Sequence, residues 1–173
     1  MEEKTSTASR LGARMTAMAC FCLFGALNMV SAVPKFSIVI ILLGILVGFV
    51  FALITMKLMA VVISIANNDL RQQYGNGFAG QAVEQGMAYL FPFAILAFLA
   101  EYFLHWPGTM LFASAGIMTA GASVGAEIAK LGKPKMKNFI LPIIVAFLMS
   151  TIWMMSTGFL SIAGGALITL FRL

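Results

Sequence analysis

The sequence predicts an all-α integral membrane protein, a compact bundle of five or six transmembrane helices. Three observations carry that expectation. Hydrophobic residues make up 61% of the 173-residue chain and charged residues 10%, whereas a soluble domain carries about 25% charged residues. Mean hydropathy is +1.00. The apolar residues also gather into runs close to 20 residues long, enough for a helix rising about 1.5 Å per residue to cross a hydrocarbon core of roughly 30 Å. A chain of this length holds one domain, here a polytopic domain over 15–173 behind a polar, cytoplasmic N-terminal segment, 1–14.

The first run, 15–33, follows Lys4, Arg10 and Arg14 and is closed by Pro34 and Lys35. Its basic head, apolar middle and Val30-Ser31-Ala32 also fit a cleavable secretory signal, but that small-residue pattern is loose and an uncleaved span is expected. Cys20 and Cys22 sit two apart and point to opposite sides of a helix, which suits small apolar residues in a span better than a metal clip or redox pair. The second run, 37–57, is free of charge until Lys57, and apolar character then resumes through Ala66, so this helix projects beyond the lipid or tilts.

Residues 67–86 form the longest polar connection. Asn68 or Asp69 is placed to cap a short turn over 70–74 that Gly75 would end. Phe78, Ala82, Val83 and Met87 recur at helical spacing, an interfacial prelude to a third span, 87–104, that Pro92 should kink. His105-Trp106-Pro107-Gly108 reads as a tight turn, with Pro107 opening the next helix and Tyr102 and Trp106 at headgroup level. The fourth span, 109–129, is rich in small residues and meets a lysine-rich connection in which Gly132 is a helix stop. A fifth span, 138–155, follows. The tail up to Leu173 has no charge before Arg172, and its 36 residues are read as two short helices, with a sixth span at 158–172, or as one span and a re-entrant segment; Ser156-Thr157-Gly158 and Gly164-Gly165 are the expected breaks.

The net charge of +5 reflects orientation rather than nucleic-acid binding, since the basic residues lie in short connections without aromatic interleaving. With the N-terminus in the cytoplasm, Lys4, Arg10, Arg14, Lys57, Arg71, Lys130, Lys133, Lys135 and Lys137 all face inward. Lys35 faces outward, and the side taken by Arg172 depends on the number of tail spans. The expected partners are the lipid bilayer and either further copies of the chain or membrane partner subunits, not nucleic acid.

Several constellations invite a functional reading. Gly44-x-x-x-Gly48 and Gly121-x-x-x-Gly125, with Gly116, have the small-residue spacing that lets helix backbones approach closely, within a bundle or between subunits. Lys57 and Glu127 fall at the inner ends of their runs, at similar depth, and are read either as two independent snorkelling side chains or, if their helices are neighbours, as a structural or gating ion pair. Glu101 and His105 are four apart and share a face if the helix continues, as a proton or substrate contact or a solvated helix end. Asn28, in the outer third of the first span, suits an interhelical hydrogen bond. Gly75-Asn-Gly-Phe-Ala-Gly80 matches the letters of a dinucleotide fingerprint, but no strand precedes it and a loop is expected. No catalytic set, zinc signature or phosphate loop can be assembled, so no cofactor or metal is expected.

Three function classes remain: a small transport protein or the membrane subunit of a transport complex, a non-catalytic scaffold or assembly subunit, and a membrane-embedded enzyme. The enzyme is the least supported, because its acid–base inventory is so thin. Transport asks for polar groups reaching mid-depth, and Ser114, Thr119 and Ser123 are the main ones offered.

Overall fold

The computed structural model describes the backbone over 2–32, 38–75, 77–106, 108–131 and 135–171, and side chains over 11–31, 38–75, 77–106, 108–131 and 135–158. Pro34 and Lys35, Pro107, Gly132 and Arg172 lie outside the described residues. Within them the chain forms seven α-helices and no strand: α1 (Glu2–Ala32), α2 (Ile38–Ala66), α3 (Asn68–Tyr74), α4 (Phe78–Met87), α5 (Phe91–Phe103), α6 (Thr109–Leu131) and α7 (Met136–Phe171). Five stretches are long and apolar enough to cross a membrane: Leu11–Ser31, Ile38–Ala66, Phe78–Phe103, Thr109–Leu131 and Met136–Gly158. The protein is an all-α, multi-pass membrane bundle.

The third crossing is built from two helices. A 3-10 turn, Ala88–Leu90, joins α4 to α5, and Pro92 lies in the first turn of α5. A proline that far along an unbroken helix would take a donor from the ladder and clash with the turn before it. Tightening the backbone just upstream puts the ring where the donor is not needed. The stretch from Phe78, expected as an interfacial prelude, belongs to this crossing: Phe78, Ala79, Ala82, Val83 and Met87 are all buried.

The tail corrects the expectation of two short helices. Its backbone is one 36-residue α-helix. Ser156 and Thr157 do not break it, because their hydroxyls donate back to the Trp153 carbonyl, at 3.0 and 2.8 Å. Bonded within their own helix, these polar side chains remove the reason for the chain to turn. Pro142 is accommodated inside the same helix.

Glycines position the helices. A Cβ on Gly25 would strike the carbonyl oxygen of Gly44, one on Gly44 would strike that of Gly25, and one on Gly48 would strike that of Phe21. Antiparallel α1 and α2 therefore touch backbone to backbone. On the other side of the bundle a Cβ on Gly121 would come within 2.5 Å of the Ala146 Cβ and 2.9 Å of the Pro142 carbonyl oxygen, and one on Gly125 within 2.9 Å of the Asn138 carbonyl oxygen. This seats α6 on α7. Gly116 faces Phe93, and Gly86 faces the backbone of Val124, which brings the α4–α5 crossing against α6. All five glycines expected at helix contacts thus point into this chain rather than toward a second one.

Large side chains fill the space left between the crossings. Phe21, Phe51 and Trp153, from α1, α2 and α7, meet edge-on or tilted, with ring centroids 4.9 to 6.1 Å apart, a favourable arrangement of ring quadrupoles. Phe24, Leu90, Ile117 and Met149 complete an apolar centre. By contrast α2 presents Leu42, Leu46, Phe49 and Ile54 outward, the surface a lipid-facing helix needs.

Gly121→Leu should therefore lower thermal stability sharply. Overpacking costs about 1–3 kcal/mol in ordinary cores, and here the obstruction is backbone. Leu46→Ala, at a position 58% exposed, should leave the unfolding midpoint of the purified protein nearly unchanged. Equal losses for the two would refute this packing.

Candidate functional site

The ionisable side chains concentrate at one end of the bundle, the end at which α2 and α6 finish and α4 and α7 begin. Three polar contacts lace that end together. Lys135 Nζ donates to Asp69 Oδ2 at 2.5 Å. Lys137 Nζ donates to the carbonyl of Ala66, where a cation complements the negative end of α2. The Tyr74 hydroxyl donates to the Leu131 carbonyl at 2.9 Å. Short α3 is thereby tied to the ends of α6 and α7. Asn67 precedes it, with its Nδ2 turned back to the Ile63 carbonyl, and Gly75 ends it at φ 78°. The glycine-rich letters Gly75 to Gly80 thus span the α3–α4 connection and the first turn of α4.

Deeper along the helices, Arg14, Lys57 and Glu84 converge from α1, α2 and α4. Each lies about 18 or 19 residues from the far end of its own helix or crossing, so roughly 28 Å from the opposite side at about 1.5 Å per residue. That places all three near the boundary of a hydrocarbon core of about 30 Å. Arg14 Nε approaches Glu84 Oε1 at 4.0 Å, a loose pair. Lys57 is exposed, and among the described residues it has no hydrogen bond or ion pair. The three side chains line a cavity of about 180 Å³ whose other walls include Met56, Val83 and Gly80.

Of the two readings of Lys57 and Glu127, the ion pair is not formed. Both residues lie at the charged end, but α2 packs chiefly against α1, α7 and α4, whereas α6 packs chiefly against α7, α4 and α5. Glu127 instead accepts from Lys130, one turn on in its own helix, at 2.6 Å. Similar depth sets only one coordinate of a side chain. The direction in which each helix faces sets the others, and these two helices face different neighbours.

At the opposite end Glu101 and His105 also part company. Helix α5 stops at Phe103, and His105 takes φ 49° in the turn that follows, so the shared-face geometry of an unbroken helix is lost. Glu101 Oε1 instead accepts from the Thr109 hydroxyl at 2.6 Å and from its backbone N–H at 3.4 Å. A carboxylate at the first residue of α6 satisfies a free donor and complements the positive end of the helix. His105 is exposed, near the Trp106–Phe112 ring pair.

Buried polar groups form a third set. Asn28 is 8% exposed, and its Nδ2 has no hydrogen-bond partner among the described residues; the interhelical bond expected from it is not donated. Thr55 Oγ1, Ser114 Oγ, Asn138 Oδ1 and Trp153 Nε1 are likewise buried and unpartnered. Thr55 and Asn138 lie toward the charged end, Asn28 and Ser114 toward the other, and Trp153 between them at the level of Phe21 and Phe51. Thr119 is exposed, and Ser123 donates to the Thr119 carbonyl, so neither adds to the interior.

Sequence reasoning passed over Arg14 and Glu84 as site residues, along with Thr109, Gly25 and Trp153. Gly25 belongs to no glycine repeat, and the Arg14–Glu84 approach joins residues distant in the chain without a local pattern. The one usable signal was that both charges lie about a bilayer thickness from their helices' far ends, as Lys57 does.

Two measurements check this geometry. In a double-mutant cycle, Lys57→Met and Glu127→Gln should be additive to within about 0.5 kcal/mol, and a larger coupling would contradict the separation of α2 from α6. Asp69 gives a pH test. The hydrogen bond from Lys135 holds its carboxyl below the usual carboxylate range, helped by a backbone hydrogen bond and by the charges of Lys135 and Lys137. A depressed folded-state value means that the stabilisation is present above the unfolded pKa of about 3.9 and is lost as pH falls through the folded value. The small difference in midpoint between wild type and Asp69→Asn should therefore persist from neutral pH down to about 4 and vanish below it. A difference that disappears already at pH 6 would contradict the assignment.

The chain matches no family model, no curated protein and no solved structure, so its functional reading rests on its own geometry.

Proposed function

We propose that this multi-pass membrane protein is a transport protein, alone or as the membrane subunit of a transport complex, with its N-terminus in the cytoplasm. The observation that supports this reading is the set of buried, unpartnered polar atoms on Thr55, Asn138, Ser114, Trp153 and Asn28, distributed along a largely apolar interior from one end to the other. A buried polar group without a partner costs roughly 1–3 kcal/mol, and a bundle built only to hold its shape has no need of five. In a transport protein such groups meet water or solute on either side of a closed apolar centre. The orientation is supported by the gathering of Arg14, Lys57, Lys130, Lys135 and Lys137 at one end, since cytoplasmic connections carry the excess of Lys and Arg.

One observation favours the second reading, a scaffold or assembly subunit. The Phe21–Phe51–Trp153 cluster and its apolar neighbours fill the interior at mid-depth with large packed side chains. The two readings differ in whether water reaches the orphaned groups.

Single cysteines at Ser114 and Thr55, in a chain with Cys20 and Cys22 replaced by Ala, separate them. Transport predicts that a water-soluble, membrane-impermeant thiol reagent labels Ser114→Cys from outside and Thr55→Cys from inside, at rates within about tenfold of the exposed references His105→Cys and Gly77→Cys. No labelling at either buried position in intact membranes would remove the transport reading and leave the scaffold. Labelling of Gly77→Cys from outside would overturn the orientation.

A further inference from the structure

We propose that the cavity between α1, α2 and α4 seats the phosphodiester headgroup of an anionic phospholipid of the inner leaflet, with a hydroxyl-bearing headgroup turned toward Glu84. The inference takes its leaflet from the orientation proposed above and is otherwise independent of the transport reading, because it concerns a different group of residues and would hold equally for a scaffold.

Charge is the first argument. Arg14 and Lys57 bring two positive charges to the cavity and Glu84 one negative. The Arg14–Glu84 pair is loose at 4.0 Å, and the Lys57 ammonium makes no bond to the described residues. The net single positive charge matches the single negative charge of a phosphodiester. An ammonium supplies a point charge to phosphate and a guanidinium a fork of donors. Glu84 would repel a bare anion placed beside it. It is tolerable only if the part of the ligand nearest to it donates hydrogen bonds, as headgroup hydroxyls do.

Depth and shape supply the second argument. The three charges lie near one hydrocarbon boundary, the level of a phospholipid's phosphate. Met56, Leu53 and Val83 line the same cavity, and exposed Ile54 and Leu58 continue the apolar surface of α2 along which acyl chains can lie. A free anion would use the charges but not that surface. Basic pockets between helices on the cytoplasmic side bind anionic headgroups on the same grounds.

Gly80 is the third. A Cβ there would meet nothing within 4 Å, in contrast to the crowded glycines at the helix crossings, and Gly80 lines the cavity. Glycine loses more backbone freedom on folding than alanine does, also in the first turn of a helix where Gly80 lies. Here it returns no close backbone contact, and what it leaves is room.

The purified protein in detergent micelles tests the proposal through its unfolding midpoint during titration with phosphatidylglycerol, phosphatidylcholine or inorganic phosphate. Phosphatidylglycerol should raise the midpoint saturably, and the other two should not. Lys57→Gln and Gly80→Leu should each weaken the apparent affinity for phosphatidylglycerol by roughly fivefold, the scale of one basic contact near a membrane surface. Lys130→Gln, a change elsewhere on the charged end, should leave it unchanged. Gly80→Leu keeps the test decisive if Lys57→Gln does not fold, since its side chain enters open space. An equal effect of phosphatidylcholine would overturn the site, as would wild-type affinity in the Gly80→Leu variant. An equal effect of inorganic phosphate would reassign it to a free anion. Weakening by Lys130→Gln as large as that by Lys57→Gln would show diffuse attraction to the charged end instead.

Discussion

Where α1 crosses α2, Gly25, Gly44 and Gly48 allow two backbones to come into contact, and much of the remaining structure depends on this. In lipid no hydrophobic force presses helices together, so attraction must come from close packing. The crossing brings Phe21 and Phe51 to one depth, and Trp153 of α7 closes over both. It also carries Arg14 to the level of Lys57. The interior and the charged cavity are thus two results of one contact. A side chain larger than hydrogen at any of the three glycines would separate both.

The two ends of the bundle are fastened differently. At the charged end the contacts run between helices distant in sequence: Lys135 to Asp69, Lys137 to the end of α2, Tyr74 to the end of α6. At the other, Glu101 closes a short connection by holding the first residue of the next helix. The first kind fixes the positions of helices relative to one another, and the second fixes only the angle between two consecutive ones. Changes at the charged end therefore propagate through more of the molecule.

The spans, their helical nature and most of the close-packed positions were legible because they rest on local signals. Hydropathy runs mark crossings, and a glycine repeat such as Gly121-x-x-x-Gly125 marks a face whatever packs against it. What was misjudged needed a direction or a competitor that the sequence does not display. Lys57 and Glu127 share a depth but belong to helices with different neighbours. His105 lies beyond the end of α5, where helical spacing no longer applies, and Glu101 was drawn to a helix start eight residues on. Ser156 and Thr157 looked like a break because polar residues in lipid need partners, and they found those partners within their own helix. The cavity could not be read in advance at all, since Arg14, Lys57 and Glu84 come from three helices and no spacing links them.

Helix α2 runs for 29 residues, about 43 Å at the usual rise, and exceeds a hydrocarbon core of about 30 Å by roughly two and a half turns. Lys57 divides it into a lipid-length part and an apolar remainder that includes exposed Val61 and Ile65. The helix is therefore graduated, with a mark at one membrane thickness. In a thicker bilayer the ammonium would sink below the headgroups and in a thinner one Leu53 and Ile54 would emerge from the acyl chains, each at a cost of fractions of a kcal/mol per Å. Among membranes of unequal thickness, the protein would settle in the one that this ruler fits.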